Sequence, residues 1–197
     1  MSTHDRITNR IKRRGRGFVF SPGDFADLGS RAAVDKTLSR LTKAGTIRRL
    51  DRGTYDYPAK SSRAGLRSPD PDSVARAATR RLGARFQRPG AVAALALGIS
   101  DQVPGRALYL TDAPTRNVKA GNRQVLLRHA SRRQLVGAGT VVGDVYHALR
   151  FVGRTAIDDQ LIDKLRQRLT DQDKQQIRKD LTGLPAWAQD VMRRVVA

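Results

Sequence analysis

The 197-residue chain has no cysteine and no glutamate; all 18 of its acidic residues are aspartates. The missing cysteine excludes disulfides and thiolate metal sites. The missing glutamate, beside arginines that far outnumber lysines, points to a biased genome more than to a mechanism. No apolar run approaches the roughly 20 residues needed to span a bilayer, and the opening MSTHDRITNRIKRR lacks the apolar core of a secretory signal. No helical pattern pairs a basic face with a large aromatic one, which argues against a polybasic membrane-surface role. A soluble cytoplasmic protein with no membrane partner is expected.

What is present is positive charge. Lys and Arg number 38, so the formal net charge is +20 and the pI is near 11.5. Such an imbalance repels itself in a compact state and calls for a polyanionic partner, of which nucleic acid is the commonest. A hydrophobic content of 39% is enough for packed cores, in one domain or two small ones. Residues 1–60 carry 14 Lys/Arg against 6 Asp, so charge is densest at the N-terminus, but neither half is neutral.

Ser2 to Asp5 has the spacing of a capping box, and Ile7 and Ile11 give the helix that follows a narrow buried stripe. Lys12, Arg13 and Arg14 suit its last turn, and Gly15 can end it. Phe18-Val19-Phe20 reads as a short strand. Ser21-Pro22-Gly23-Asp24 opens a second helix with Phe25 and Leu28 facing inward, and Ser30 caps a third that runs to Gly45. In this third helix Val34, Leu38 and Leu41 mark the core face, and Ala32, Lys36, Ser39, Arg40 and Lys43 form a cationic outer stripe. Thr46–Leu50 and Thr54–Tyr57 then pair across the loop Asp51-Arg52-Gly53.

Two small helices followed by a basic hairpin is the pattern of a winged helix-turn-helix DNA reader. A recognition helix touches bases mainly with its N-terminal residues. Ser30, Arg31 and Lys36 are therefore the candidates for base edges or nearby phosphates, with Arg40 on the backbone. Arg48, Arg49 and Arg52 line the wing, although strand alternation sends Arg48 and Arg49 to opposite faces, so at most one of that pair reaches DNA. A merely solvated amphipathic face is the alternative for each of these cations.

Residues 61–71, rich in Pro, Ser, Gly and Arg, read as a linker. Beyond it Asp70-Pro71 starts a helix with Val74, Ala77, Ala78 and Leu82 on its apolar side, and Ala91–Leu97 is a short buried helix. Ala107–Thr111 has strand character. Arg116–Lys119 and Arg123–His129 can form a hairpin around Gly121-Asn122, with Arg116, Lys119, Arg123 and Arg128 facing outward as a possible partner or RNA surface, or simply as a solvated sheet face. The tail is helical, with Val141, Val145, Leu149 and Val152, then Leu161, Leu165 and Leu169, then Ile177 and Leu181, then Trp187, Val191 and Val195 on successive apolar faces.

Catalytic constellations are missing. His4, His129 and His147 are scattered without metal-ligand spacing, and Asp158, Asp159 and Asp163 match helix-start electrostatics better than a two-metal site. No phosphate-binding glycine loop and no nucleophile elbow occurs. A non-enzyme without cofactor or metal is expected.

The run GFVFSPGDFADLGSRAAVDKTLSRLTKAGTIRRLDRGTYDYP resembles the N-terminal winged helix of the AbiEi family, the antitoxins of bacterial type IV toxin-antitoxin systems. GAVAALALGISDQVPGRALYLTD, VLLRHA and LPAWAQDVMRRV resemble the same family, so the likeness covers nearly the whole chain. It implies an antitoxin that represses its own operon by binding double-stranded promoter DNA, while the C-terminal domain counteracts a cognate nucleotidyltransferase-like toxin. The combined expectation is an α+β chain: a winged helix-turn-helix over 1–60, a linker over 61–71 and a mixed α/β antitoxin domain over 72–197. Binding by one copy, and by two copies on repeated half-sites, are equally compatible with the sequence. A stand-alone repressor and an RNA-binding protein are the competing functions.

Overall fold

The computed structural model describes residues 1–61 and 65–197. Ser62, Arg63 and Ala64, in the expected linker, lie outside the described residues. The chain is mixed α+β and divides into two compact units, Met1–Ala84 with Ala113–Leu127, and Arg85–Asp112 with Arg128–Ala197.

The first unit opens with α1 (Thr3–Arg14). Its expected capping box is present: the Asp5 N–H donates to Ser2 Oγ at 3.2 Å and the Ser2 N–H to Asp5 Oδ2 at 3.0 Å. Ile7 and Ile11 are buried, and Gly15, at φ +82°, ends the helix. Strand β1 (Val19–Phe20) follows. The segment Pro22–Leu28, expected as a helix, is instead 3₁₀, broken at Phe25 (φ −126°). Buried residues at an i, i+3 interval, Phe25 and Leu28, eclipse on a three-residue turn, and seven residues carrying Pro22 and Gly23 are too few to sustain an α-helix.

Helix α2 (Arg31–Lys43) buries Val34, Thr37, Leu38 and Leu41. Strands β2 (Arg48–Asp51) and β3 (Thr54–Asp56) complete an antiparallel sheet in the order β1-β3-β2. Phe20 is the hub of this core, with its ring 5.3 Å from Phe25 edge-on and 6.1 Å from Tyr55 stacked. The turn is tighter than the three-residue loop expected: Asp51 pairs with Thr54, a bulge falls between Arg49 and Asp51, and Arg52-Gly53 alone form the tip. The Asp51 carboxylate accepts the Arg52 N–H at 2.6 Å, which holds Asp51 in the ladder, and Gly53 supplies the positive φ of +68°.

The unit continues past the boundary expected at residue 60. Two-residue strands β4 (Lys60–Ser61) and β5 (Gly65–Leu66) pair, and α3 (Pro71–Arg81) packs on β1 and β3 with Val74, Ala75, Ala77 and Ala78 buried. After α4 (Gly90–Ala96) and β6 (Ala107–Thr111), which belong to the second unit, the chain returns as β7 (Arg116–Ala120) and β8 (Arg123–His129). Val118, Ala120, Val125 and Leu127 are the buried apolar face of this hairpin, and β7 lies beside β2 and α3. The expected Gly121-Asn122 turn is present, with Gly121 at φ +67°.

The second unit is mainly helical: α5 (Val141–Val152), α6 (Asp159–Arg168), α7 (Asp171–Lys179) and α8 (Ala186–Val196). Val145, Leu149, Leu165, Ile177, Met192 and Val195 are at or near zero exposure in its core. Helix α4 approaches α5 so closely that a Cβ on Gly90 would lie 2.7 Å from the His147 carbonyl oxygen and 2.5 Å from Phe151 Cβ. His147 itself is buried, with Nε2 2.9 Å from the Gln134 carbonyl oxygen. A carbonyl only accepts, so Nε2 carries the proton.

Candidate nucleic-acid interface

Helix α2 divides its residues by face. The buried side locks it to α1 and the 3₁₀ segment, and the opposite side leaves Arg31, Lys36, Ser39, Arg40 and Lys43 exposed. Two of the N-terminal candidates already have local partners. Ser30 Oγ accepts the Ala33 N–H at 3.3 Å, so its hydroxyl serves first as the helix cap. Arg31 Nε lies 2.8 Å from Asp35 Oδ2, but the two side chains are 71% and 49% exposed. An ion pair that open to water is worth little and yields readily to a phosphate. Lys36 and Arg40 make no ion pair among the described residues and project from the same face.

In the hairpin the two consecutive arginines have opposite fates. Arg48 shares a register position with Asp56, whose carboxylate is 1% exposed. Its Nε donates to Asp56 Oδ1 at 3.1 Å and its terminal nitrogen to Oδ2 at 2.7 Å, with a further bond of 3.0 Å to the Arg67 carbonyl. This pairing raises the Arg48 pKa above its ordinary value against the effect of burial. Arg48 is therefore a structural counter-ion, which removes it from the wing cations expected from the sequence. Arg49, opposite Tyr55 on the other face, and Arg52 at the tip are exposed.

The expected outward cluster on the second hairpin divides. Register pairs Arg116 with Leu127 and Ala120 with Arg123, so both arginines fall on the side that carries Val118 and Val125. Lys119 pairs with Gln124 on the other side, and alternation along β8 sends Arg128 away from Arg123. Two cations face each way, so no single four-residue basic face exists on this strand pair.

Sequence reasoning missed Arg81. It ends α3 and runs over the β2–β3 turn, where a Cβ on Gly53 would lie 2.8 Å from its Cδ. Burial, and then Arg116, Arg52 and Arg31, lower its pKa, with Asp51 acting against them. The doublet Arg80-Arg81 in the last turn of α3 was the visible signal, but it has the look of an ordinary complement to the helix dipole. Its neighbour Arg80 lies 3.3 Å from Asp24. That pair forms one side of a cleft of about 680 Å³ whose other walls are Arg10, Arg13, Arg14 and Phe18. Arg10 is committed to Asp27 through two bonds of 2.7 Å.

The second unit has a basic cleft of about 590 Å³ among Arg133, Tyr146, Arg150, Arg154 and Trp187, in which the Arg154 guanidinium stacks 4.6 Å from the Trp187 ring. Among the described residues no group of three or more His, Asp or Glu is placed to hold a metal ion, and no helix is long and apolar enough to cross a membrane.

Residues 6–177 match the model of a family described as a family of unknown function (DUF6088). No curated protein matches the chain.

Proposed function

We propose that this chain, which belongs to the DUF6088 family, binds double-stranded DNA through a winged helix-turn-helix in its first unit, with α2 as recognition helix and the β2–β3 hairpin as wing. The order α1, β1, 3₁₀ segment, α2, β2, β3 with sheet order β1-β3-β2 supports this reading. One observation carries it: the face of α2 turned away from the core holds Arg31, Lys36, Arg40 and Lys43, of which, among the described residues, only Arg31 has an intramolecular ion pair, and that pair is solvent-exposed. A helix that is cationic on its free face and small at Ala32 and Ser39 fits a major groove, which is lined by phosphates and admits one helix. Arg49 and Arg52 extend the positive strip to the hairpin.

The biology we propose is that of an antitoxin and autorepressor of a type IV toxin-antitoxin operon, cytoplasmic and non-enzymatic, acting on its own promoter and countering a nucleotidyltransferase-like toxin. This part rests on the resemblance to AbiEi antitoxins across the chain. Its test is a reporter fused to the DNA upstream of the chain's own gene. Wild type represses the reporter and a K36A/R40A variant does not, while both rescue growth when a neighbouring nucleotidyltransferase-like gene is expressed. Repression by neither, or rescue by neither, would overturn the corresponding half of the proposal.

A further inference from the structure

Arg81 lies where positive charge accumulates without an answering partner. Its side chain crosses Gly53 at the hairpin tip, and its Nε–H is buried with no hydrogen-bond partner. A buried donor left unmade on a charged group is costly and uncommon in folded proteins. Arg52 precedes Gly53 in the turn, and Arg116 opens β7, the strand packed beside β2. Both act on Arg81 electrostatically, as does Arg31 from the start of α2.

The opposing charge acting on Arg81 is Asp51. Its two oxygens already accept backbone N–H groups, that of Arg52 at 2.6 Å and that of Lys119 at 3.3 Å. Among the described residues the side chains of Arg52, Arg81 and Arg116 make no ion pair or hydrogen bond. Helices α2 and α3, strand β7 and the β2–β3 turn, spread over 86 positions from Arg31 to Arg116, thus bring three further arginines within electrostatic reach of Arg81 in one compact unit. Self-repulsion of this kind is relieved by an anion.

We propose that Arg52, Arg81 and Arg116, with Arg31 at their margin, form a site for a tetrahedral oxyanion of the phosphate class, held by the terminal nitrogens of their guanidinium groups. Phosphate suits the arrangement because it offers oxygens in several directions to donors converging from several elements, whereas a carboxylate is planar and brings a single charge. The anion is either a backbone phosphate of DNA or a free phosphate. The first source rests on the DNA-binding reading above, and the second does not.

The experiment uses the full chain and has two arms. In the first, inorganic phosphate is titrated at constant ionic strength against chloride and acetate, and the melting temperature is followed. In the second, duplex affinity is measured across a salt series. The variants are R81Q, R116Q in case R81Q folds poorly, and R193Q, an exposed arginine of the second unit, as a control outside the cluster. Phosphate is expected to raise the melting temperature saturably, with R81Q and R116Q needing at least roughly tenfold more phosphate and R193Q behaving as wild type.

If the occupant is a DNA phosphate, each single variant also reduces the slope of log K against log salt by about one. A loss of the phosphate response with an unchanged slope identifies a free anion. A reduced slope without a phosphate response identifies the backbone. The site is refuted if R81Q and R116Q alter neither. Because the first arm contains no DNA, a failure of the DNA-binding reading leaves the phosphate result intact. Normal duplex binding beside two silent variants refutes the site alone.

Discussion

Substituting Arg48 and Arg49 separately, two adjacent arginines of one strand, should give opposite phenotypes. In R48A the Asp56 carboxylate, 1% exposed, loses both bonds of its bidentate partner, and the Arg67 carbonyl loses the bond it accepts from the same guanidinium. Removing one member of a buried pair costs about 3–5 kcal/mol, because the remaining charge stays desolvated without compensation. Arg48 is itself 26% exposed, so water reaches one side of the pair and the lower end, about 3 kcal/mol, is expected. R49A removes an exposed side chain and should stay within about 0.5 kcal/mol of wild type while weakening duplex binding. Urea unfolding read by amide exchange in β2 and β3 measures both. A D56N substitution in the R48A background removes the stranded charge and should recover part of the loss, giving a coupling of about 2 kcal/mol in the double-mutant cycle. An R48A cost below about 1 kcal/mol, or a coupling near zero, would refute the assignment of Arg48 as a counter-ion.

G53A places an L side chain at φ +68° against Arg81 Cδ and should destabilise the first unit by about 1–2 kcal/mol, seen as a lower melting temperature. G90A drives a methyl group into the His147 carbonyl and Phe151 and should cost about 1–3 kcal/mol in the second unit, where Trp187 fluorescence reports unfolding. Burial, and more weakly Arg150, lower the His147 pKa below its ordinary 6.5, against the Gln134 carbonyl and Asp144. The unfolded chain then binds the proton more readily. Stability of the second unit should fall as pH drops from about 6.5 towards the lower folded value, and H147Q should flatten that dependence in urea titrations.

How much the sequence disclosed depends on whether a feature is local. Capping boxes such as Ser2–Asp5, the core stripe of α2 and the Gly121-Asn122 turn are set by residues three or four apart, and all were legible. The Arg48–Asp56 pair was half legible: alternation announced that Arg48 and Arg49 part company, but choosing which turns inward needed the register with β3. Parity likewise divides Arg116 and Arg123 from Lys119 and Arg128, because a two-residue turn at Gly121-Asn122 fixes which positions face each other. Least legible was the extent of the first unit. The run before α3 has the composition of a linker, yet Pro69 is buried and α3 has an alanine-rich face that packs without large side chains, so hydrophobic content gave little signal. Arg81 was hidden for the same reason, since its neighbours come from three other elements.

The measurement that most directly tests the central proposal is competition binding of the full chain to DNA from upstream of its own gene, with scrambled duplex as competitor, over a series of salt concentrations. With Arg31, Lys36, Arg40, Arg49 and Arg52 all at phosphates, the slope of log K against log salt should lie near −4 to −5, shallower by about 0.9 for each of them that reads a base edge instead. The upstream sequence should also win at every salt, and K36A/R40A should lose that preference. Equal competition by scrambled DNA, or a preference that survives K36A/R40A, would contradict the assignment of α2 as the reader of sequence.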